Sequence, residues 1–340
     1  MSHASANDSE QTQPELSPRI LGGFLTDISQ VPATAALLNT SRVELDGDLF
    51  NAQFCGGTVI APRWILTAAH CLFDISGELR TPQSLQVLTG TTDLTNPVNQ
   101  PITVTRLIPH PDFESVELGS DIALMQLEVD SQVQPIALDT QNIVQDDEAF
   151  IAGWGALNAG EDGSRQVFPA SLQGAFVNIT PGEQCGSAFP VYDGFTDETT
   201  LCAGVSSGGI DSCQGDSGGP LYRLDTTDNT AAALKGITSW GISCGIAENP
   251  GVYTNVGAYI DWIQENMNAF SDATISVPSN DDIPVNPTIS VPTNDDIPVN
   301  ASSGGGSLAY GLLALLSLLF WRIKQAGTIV AATRSGSDVQ

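Results

Sequence analysis

Basic residues are scarce in this chain. Its 340 residues hold 11 Lys plus Arg against 39 Asp plus Glu, a formal net charge of −28. Binding nucleic-acid phosphates needs a basic face, so nucleic acid is excluded as a partner. The acidic excess suits a soluble protein outside the cell, where salt screens self-repulsion. Aromatic residues are few at 6%, yet the apolar share of 41% is ordinary, so a sizeable core is available. No two cysteines form a C-x-x-C pair, which argues against a zinc ribbon. The segment after Cys71, "LFDISGELRTPQSLQV", carries Asp74 and Glu78 without an EF-hand pattern, so calcium has no clear site and no cofactor is expected. The opening stretch, "MSHASANDSEQTQPELSPR", lacks the apolar run of a secretory signal. Other features call for export, so the expectation is that the signal is missing from this sequence or that the start lies too far downstream.

Six cysteines are present: Cys55, Cys71, Cys185, Cys202, Cys213 and Cys244. An even number spread over one region points to three disulfides and an oxidising compartment. Counting alone leaves about fifteen connectivities open. From Ile20 to about Phe270, short β-branched runs such as "GGTVIA", "SLQVLTG", "PITVTRLI" and "DIALMQL" alternate with Gly, Pro, Asn and Asp turns. Many short strands at regular spacing predict an all-β fold of barrels or a sandwich. One helix closes the region, "VGAYIDWIQENMNAF", with Val256, Tyr259, Ile260, Ile263 and Met267 on one face.

Residues 1–19 are polar and are read as a disordered lead. Beyond residue 270 the composition shifts. "TISVPSNDDIPVN" (274–286) is followed by the near-copy "TISVPTNDDIPVN" (288–300). Two copies rich in Pro and Asp are too few for a solenoid and read as a stiff acidic spacer, or else as an extra edge hairpin. Residues 271–307 are therefore a linker ending in "SSGGGS". The apolar run "LAYGLLALLSLLFW" follows, then Arg322 and Lys324. With its flanks it approaches ~20 apolar residues, enough for a thin bilayer, so a short transmembrane helix is expected over 308–324. The basic residues on its far side put that end in the cytoplasm and the body outside. A buried core helix is the alternative, but this run has no domain to be buried in. Residues 325–340 form a short polar tail.

The chemistry-bearing residues are spread along the middle of the chain. "ILTAAHC" sets His70 beside Cys71, "GSDIALMQL" sets Asp121 at the head of a strand, and "DSCQGDSGGP" sets Ser217 in a glycine-rich loop. Acyl transfer by serine needs a hydroxyl, an imidazole to take its proton and a buried carboxylate to fix the imidazole tautomer. Each residue alone has an ordinary structural reading; together they form a catalytic set. "GDSGG" also fits the nucleophile elbow of α/β-hydrolases, but that fold needs a histidine after the serine. The histidines are His3, His70 and His110, all before Ser217, so the elbow reading fails. His110 is a rival base without a flanking cysteine to pin it.

In this wording and order, the chain resembles a trypsin-like serine protease of the chymotrypsin family. The resemblance covers Ile20 to about Phe270 and rests on "RILGG", "CGGTVIAPRWILTAAHC", "DIALMQL", "AGWG", "CAG", "DSCQGDSGGP", "SWG" and "PGVYTNV". It implies two six-stranded antiparallel β-barrels with a cleft between them and a C-terminal helix. It implies the disulfides Cys55–Cys71, Cys185–Cys202 and Cys213–Cys244. By the same resemblance His70 is the general base, Asp121 orients it, Ser217 is the nucleophile, and the N–H groups of Gly215 and Ser217 form the oxyanion hole. Asp211 would floor the primary specificity pocket and select Arg or Lys, since a cation compensates its desolvation. Gly241 and Gly251 would form open pocket walls. Ser239, Trp240 and Gly241 would pair with the substrate backbone as an added strand.

The resemblance further implies a zymogen. Cleavage after Arg19 would free Ile20, whose ammonium would fold inward onto Asp216; Leu21 replaces the commoner Val. Between Ile20 and Phe270 only seven Lys or Arg occur, which suits an enzyme that cuts after basic residues, although acidic composition alone also depletes them. The expected partners are protein or peptide substrates and an activating protease. The tail resembles a bacterial GlyGly-CTERM sorting signal, which implies a rhomboid-like sorting protease, membrane attachment through the C-terminal helix before processing, and an exported protein at the cell surface or secreted afterwards. A permanent anchor is the alternative, because sixteen residues follow Lys324. A catalytically dead fold used for binding would need a broken triad, and a surface adhesin would need more than two repeats.

Overall fold

The computed structural model describes residues 20–270, apart from 143, 161–163, 182–184, 186–197 and 225–230. The lead segment with Arg19, the linker, the expected transmembrane helix and the tail lie outside the described residues. Among the described residues no helix is long and apolar enough to cross a membrane.

Two closed antiparallel barrels carry the fold. The first contains β2 (Thr34–Asn39), β3 (Gln53–Ala61), β4 (Trp64–Thr67), β5 (Leu85–Thr89), β6 (Ile102–Pro109) and β7 (Ala123–Leu127). They run in the order β2-β3-β4-β7-β6-β5 and close through β5 on β2. The second contains β8 (Glu148–Gly153), β9 (Gln173–Pro181), β10 (Thr200–Gly204), β11 (Pro220–Leu224), β12 (Ala231–Trp240) and β13 (Gly251–Asn255). Its order is β9-β10-β13-β12-β11-β8, closed by β8 on β9. A two-residue strand, β1 (Phe24–Leu25), pairs with β9 at Gly174 and Gln173. Closure removes sheet edges, which suits strands this short.

Each expected run falls on a strand, and the β-branched and leucine side chains turn inward. Leu37, Val59, Ile65, Leu66, Val87 and Leu124 are fully buried in the first barrel, and Ala149, Ile151, Leu221 and Tyr253 in the second. Burying a side chain of leucine size is worth ~1.5–3 kcal/mol. The barrels meet along a buried seam, where Thr34 Oγ1 lies 2.8 Å from Tyr222 Oη.

The closing helix begins later than its apolar pattern. Val256–Tyr259 is a 3₁₀ turn, started by the Asn255 side chain accepting from the Gly257 N–H, and the α-helix covers Ile260–Ala269. Of the expected face, Val256, Tyr259, Ile263 and Met267 are buried and Ile260 only half so. Two further helices, α1 (Thr40–Asp46) and α2 (Leu49–Ala52), interrupt the path from β2 to β3. Local caps explain them: Asn39 and Asp48 accept from the N–H groups of Ser41 and Asn51, and Gly47 ends α1 at φ 70°.

The cysteines pair as Cys55–Cys71, Cys185–Cys202 and Cys213–Cys244. The first ties β3 to the turn after β4, which fixes the position of His70.

Candidate active site

The site is assembled from the bottom up at the seam. Strand β4 ends at Thr67, and the chain tightens into a 3₁₀ turn, Ala69–Leu72, that holds His70. Asp121 stands two residues before β7, whose pairing with β4 aligns Ala123 with Thr67. Both residues therefore leave neighbouring strands of the first barrel at the same end. His70 Nδ1 lies 2.7 Å from Asp121 Oδ2, and the His70 backbone N–H donates to Asp121 Oδ1 at 2.9 Å. Asp121 is buried, while the His70 side chain keeps a quarter of its surface open to the cleft.

Asp121 has further partners from the second barrel. Ser239 Oγ donates to its Oδ2 at 2.5 Å, and Thr254 Oγ1 donates to its carbonyl at 2.8 Å. Burial alone would raise the Asp121 carboxyl; the adjacent imidazole and the bonds from His70 and Ser239 outweigh it and hold the pKa below the usual range. For His70, burial disfavours the imidazolium, but the charge and bond of Asp121 prevail, so its pKa lies above 6.5.

Ser217 is held in both barrels. Its carbonyl accepts from the Gly56 N–H of β3 at 2.7 Å, and the next N–H, of Gly218, donates to Thr238 of β12 at 2.7 Å. The Cys71 sulfur lies 3.7 Å from His70 Nε2 and 3.6 Å from the Ser217 carbonyl oxygen, so one disulfide touches both residues. Among the described residues, neither the Gly215 nor the Ser217 N–H donates to any group. Two free, neighbouring donors of this kind suit a developing oxyanion.

Asp216 is buried, at 3% exposure. Its carboxylate accepts from the Gly155 N–H at 2.8 Å and the Cys213 N–H at 2.9 Å, with no cation beside it among the described residues. Burial pushes its pKa up to about 6 against those two bonds. A Cβ on Gly153 or Gly155 would collide with this carboxylate, which explains the paired glycines of "AGWG". Ile20 is buried in the second barrel with Ala149, Ile151, Leu221 and Tyr253. Leu21 forms a bridge to Asp211, whose N–H donates to the Leu21 carbonyl at 3.2 Å.

Asp211 is also buried, at 3% exposure. Its Oδ2 accepts from the Gly245 N–H at 3.0 Å, whereas Oδ1 has no hydrogen-bond partner. Gly251 faces Oδ1 so closely that a Cβ there would stand 2.8 Å away. Burial raises the Asp211 pKa to about 7; the dipoles of Gly245 and Ser212 offset part of this, and the Asp216 charge adds to it. Ser239 and Trp240 end β12 and Gly241 follows them, where an added Cβ would stand 3.9 Å from the Gly251 Cα. Trp240 and Ser239 also line a small cavity with Asp121 and Glu117.

His110 does not join the cluster. Its ring meets Tyr259 edge-on and lies tilted against Trp262, at 5.1 and 4.9 Å between centroids. Sequence reasoning gave Ser239 a substrate role only and gave Gly153, Gly155 and Gln53 none. "AGWG" carried a signal for the two glycines; nothing in the sequence marked the Ser239 hydroxyl or Gln53.

Comparison with known proteins agrees with this geometry. The family profile described as Trypsin matches residues 20–263. The chain is 36% identical to Trypsin of Saccharopolyspora erythraea over 253 residues, 74% of this chain and 99% of that protein. It is 35% identical to Trypsin-1 of Astacus astacus over 225 residues, 64% and 89% of the two chains. The structure of neuropsin, a serine protease expressed in the limbic system of mouse brain, superposes with a TM-score of 0.58 at 32% identity, covering 72% of this chain and 98% of that one. With two barrels, a bonded His70–Asp121 pair beside the seam between them, and a family match over most of its length, this chain belongs to the trypsin family and is a serine endopeptidase.

Proposed function

We propose that this endopeptidase is made as an inactive, exported precursor, is activated by cleavage between Arg19 and Ile20, and hydrolyses peptide bonds after Arg or Lys. In this reading His70 Nε2 takes the Ser217 proton as Oγ attacks the scissile carbonyl carbon. The N–H groups of Gly215 and Ser217 receive the charge on the carbonyl oxygen. As the C–N bond breaks, His70 returns the proton to the leaving amine and an acyl-serine remains. Water then attacks the acyl carbon and gives a proton to His70; as the acyl–Oγ bond breaks, His70 passes that proton to Ser217 Oγ and the peptide acid is released. Asp121 keeps the imidazole in the tautomer this sequence needs.

The observation that carries the specificity is the Asp211 carboxylate, buried yet with Oδ1 unpartnered beside Gly251. A desolvated carboxylate favours a ligand that brings a cation and donors, as guanidinium and ammonium do. The buried, uncompensated Asp216 supports the activation step in the same way. A free Ile20 ammonium would supply its missing charge, and the inward packing of Ile20 and Leu21 is compatible with it. Export is supported by the three disulfides. Membrane attachment and sorting through the tail rest on sequence alone.

The test uses the full chain before and after cleavage at Arg19, on matched peptides ending in Arg, Phe or Ala. Activity that appears with a free Ile20 terminus and favours Arg supports the proposal. Equal cleavage after Phe, or full activity of the uncut chain, would refute the corresponding half.

A further inference from the structure

Gln53 opens β3 in the first barrel, directly after α2, whose last turn it closes by donating its backbone N–H to the Leu49 carbonyl. Its side chain crosses the seam. The amide nitrogen donates to the Gly215 carbonyl at 2.8 Å and to the Cys55 carbonyl at 3.2 Å. Both hydrogens of the amide are thereby engaged, one in each barrel.

Gly215 is the most conformationally free residue of the loop before Ser217, and it stands at φ +98°, a region that glycine reaches but does not prefer over others. Something outside it must fix the direction of its N–H. The peptide before it is held by Ala156, whose N–H donates to the Gln214 carbonyl at 2.8 Å. The peptide after it is held at both ends: Gln53 takes the Gly215 carbonyl, and the Asp216 N–H donates to the Cys213 carbonyl at 2.9 Å. Peptide units are planar, so tethers on the two units that flank a residue define both of its torsions. Gln53 supplies the tether that comes from the first barrel, the barrel that also carries His70.

We propose that Gln53 is a positioning residue for the oxyanion hole. It anchors the Gly215 carbonyl so that the Gly215 N–H faces the oxygen of the tetrahedral intermediate, and it aligns that donor with the base on the same barrel. It touches no substrate atom. Its influence is confined to states in which the carbonyl oxygen carries charge.

The test compares the full chain in its active form with Gln53→Met, which removes the donors at similar length, and Gln53→Glu, which puts acceptor oxygens against two carbonyls. Loss of a whole oxyanion donor lowers the rate roughly 10²–10³-fold, so a misdirected donor is expected to lower kcat on a peptide amide by about tenfold or more, with KM nearly unchanged. A peptide aldehyde, which becomes tetrahedral on Ser217, should bind more weakly by a similar factor. The matching peptide alcohol, which cannot, should bind as before. Full kcat in Gln53→Met would overturn the proposal. Equal weakening of aldehyde and alcohol would also overturn it, since that pattern marks general damage to the cleft. If the glutamate variant fails to fold, the methionine variant decides alone.

Discussion

The hydroxyl of Ser239 and the carboxylate of Asp121 meet across the seam at 2.5 Å, on the same Oδ2 that receives His70. A residue at the end of a second-barrel strand thus helps to hold the acid of the first barrel. Ser239→Ala should raise the Asp121 pKa and loosen the imidazole. A hydrogen bond to a charged group is worth about 1.5–3 kcal/mol, so kcat should drop by roughly tenfold or more. KM should move little, because the backbone expected to pair with substrate is unchanged. Steady-state kinetics on a peptide amide measures both, and an unaltered kcat would remove Ser239 from this role.

The direction of the His70 shift sets the acid limb of the rate profile. The base must be neutral to accept the Ser217 proton, and Asp121 holds the imidazolium past its ordinary 6.5. Activity should therefore climb with pH through a midpoint above 6.5. In Asp121→Asn the charge that raises it is gone, so the midpoint should fall and kcat should drop by about 10⁴. A midpoint that stays put in the variant would show that another group governs the limb.

Asp211 makes two opposite predictions for one residue. Its folded pKa of about 7 lies above the ordinary 3.8, so the folded state prefers the neutral acid. Its favourable share of stability is present below 3.8 and is lost as pH rises through about 7. Asp211→Asn should then melt higher than the parent at pH 8, with little difference at pH 4. Cation binding needs the carboxylate, so benzamidine affinity should rise with pH and level off above about 7. Thermal melts and inhibition constants across pH give the answer; a pH-independent affinity would contradict the assignment.

Asp211 and Asp216 lie five positions apart and should fail differently. Asp211→Ser should change which peptides are cut while leaving cleavage of some sequence intact. Asp216→Asn removes the charge expected to receive the Ile20 ammonium and should depress cleavage of every peptide alike. A panel of peptides varied at the residue before the scissile bond separates the two, and identical profiles would dissolve the distinction.

Leu21 rests against Gly245, where an added Cβ would collide with Leu21 Cδ2. Gly245 is also at φ 67° and donates to Asp211. Gly245→Ala should therefore expel Leu21 and disturb the Asp211 pocket together, lowering both stability and affinity for cations. Pairing it with Leu21→Val, a smaller side chain, should restore part of each; a double variant no better than the single one would mean that backbone strain alone is responsible.

The strands were legible because their signals are local. "GGTVIA" and "DIALMQL" carry β-branched texture and turn residues, and both fold as read. His70, Asp121 and Ser217 stood out because each is embedded in a distinctive short wording. Helix α1 escaped notice because its main determinants are the caps at Asn39 and Gly47, not an apolar stripe. The contacts that tune the site were illegible for a different reason. Gln53 and Gly215 are 162 positions apart, and Ser239 and Asp121 are 118 apart. Neither partner announces the other, and only the docking of one barrel on the other brings them within reach.

Ser217 is stitched to Gly56 on one side and, through Gly218, to Thr238 on the other. Ser217 thereby behaves as a keystone. Each half-arch can be sound by itself, yet the working geometry exists only while the two lean together. A slip of about 1 Å between reacting groups can lower a rate by 10²-fold without exposing any core. On gentle heating or dilute denaturant, catalysis should fade before either barrel loosens, so turnover is the finer gauge of how the two halves are seated.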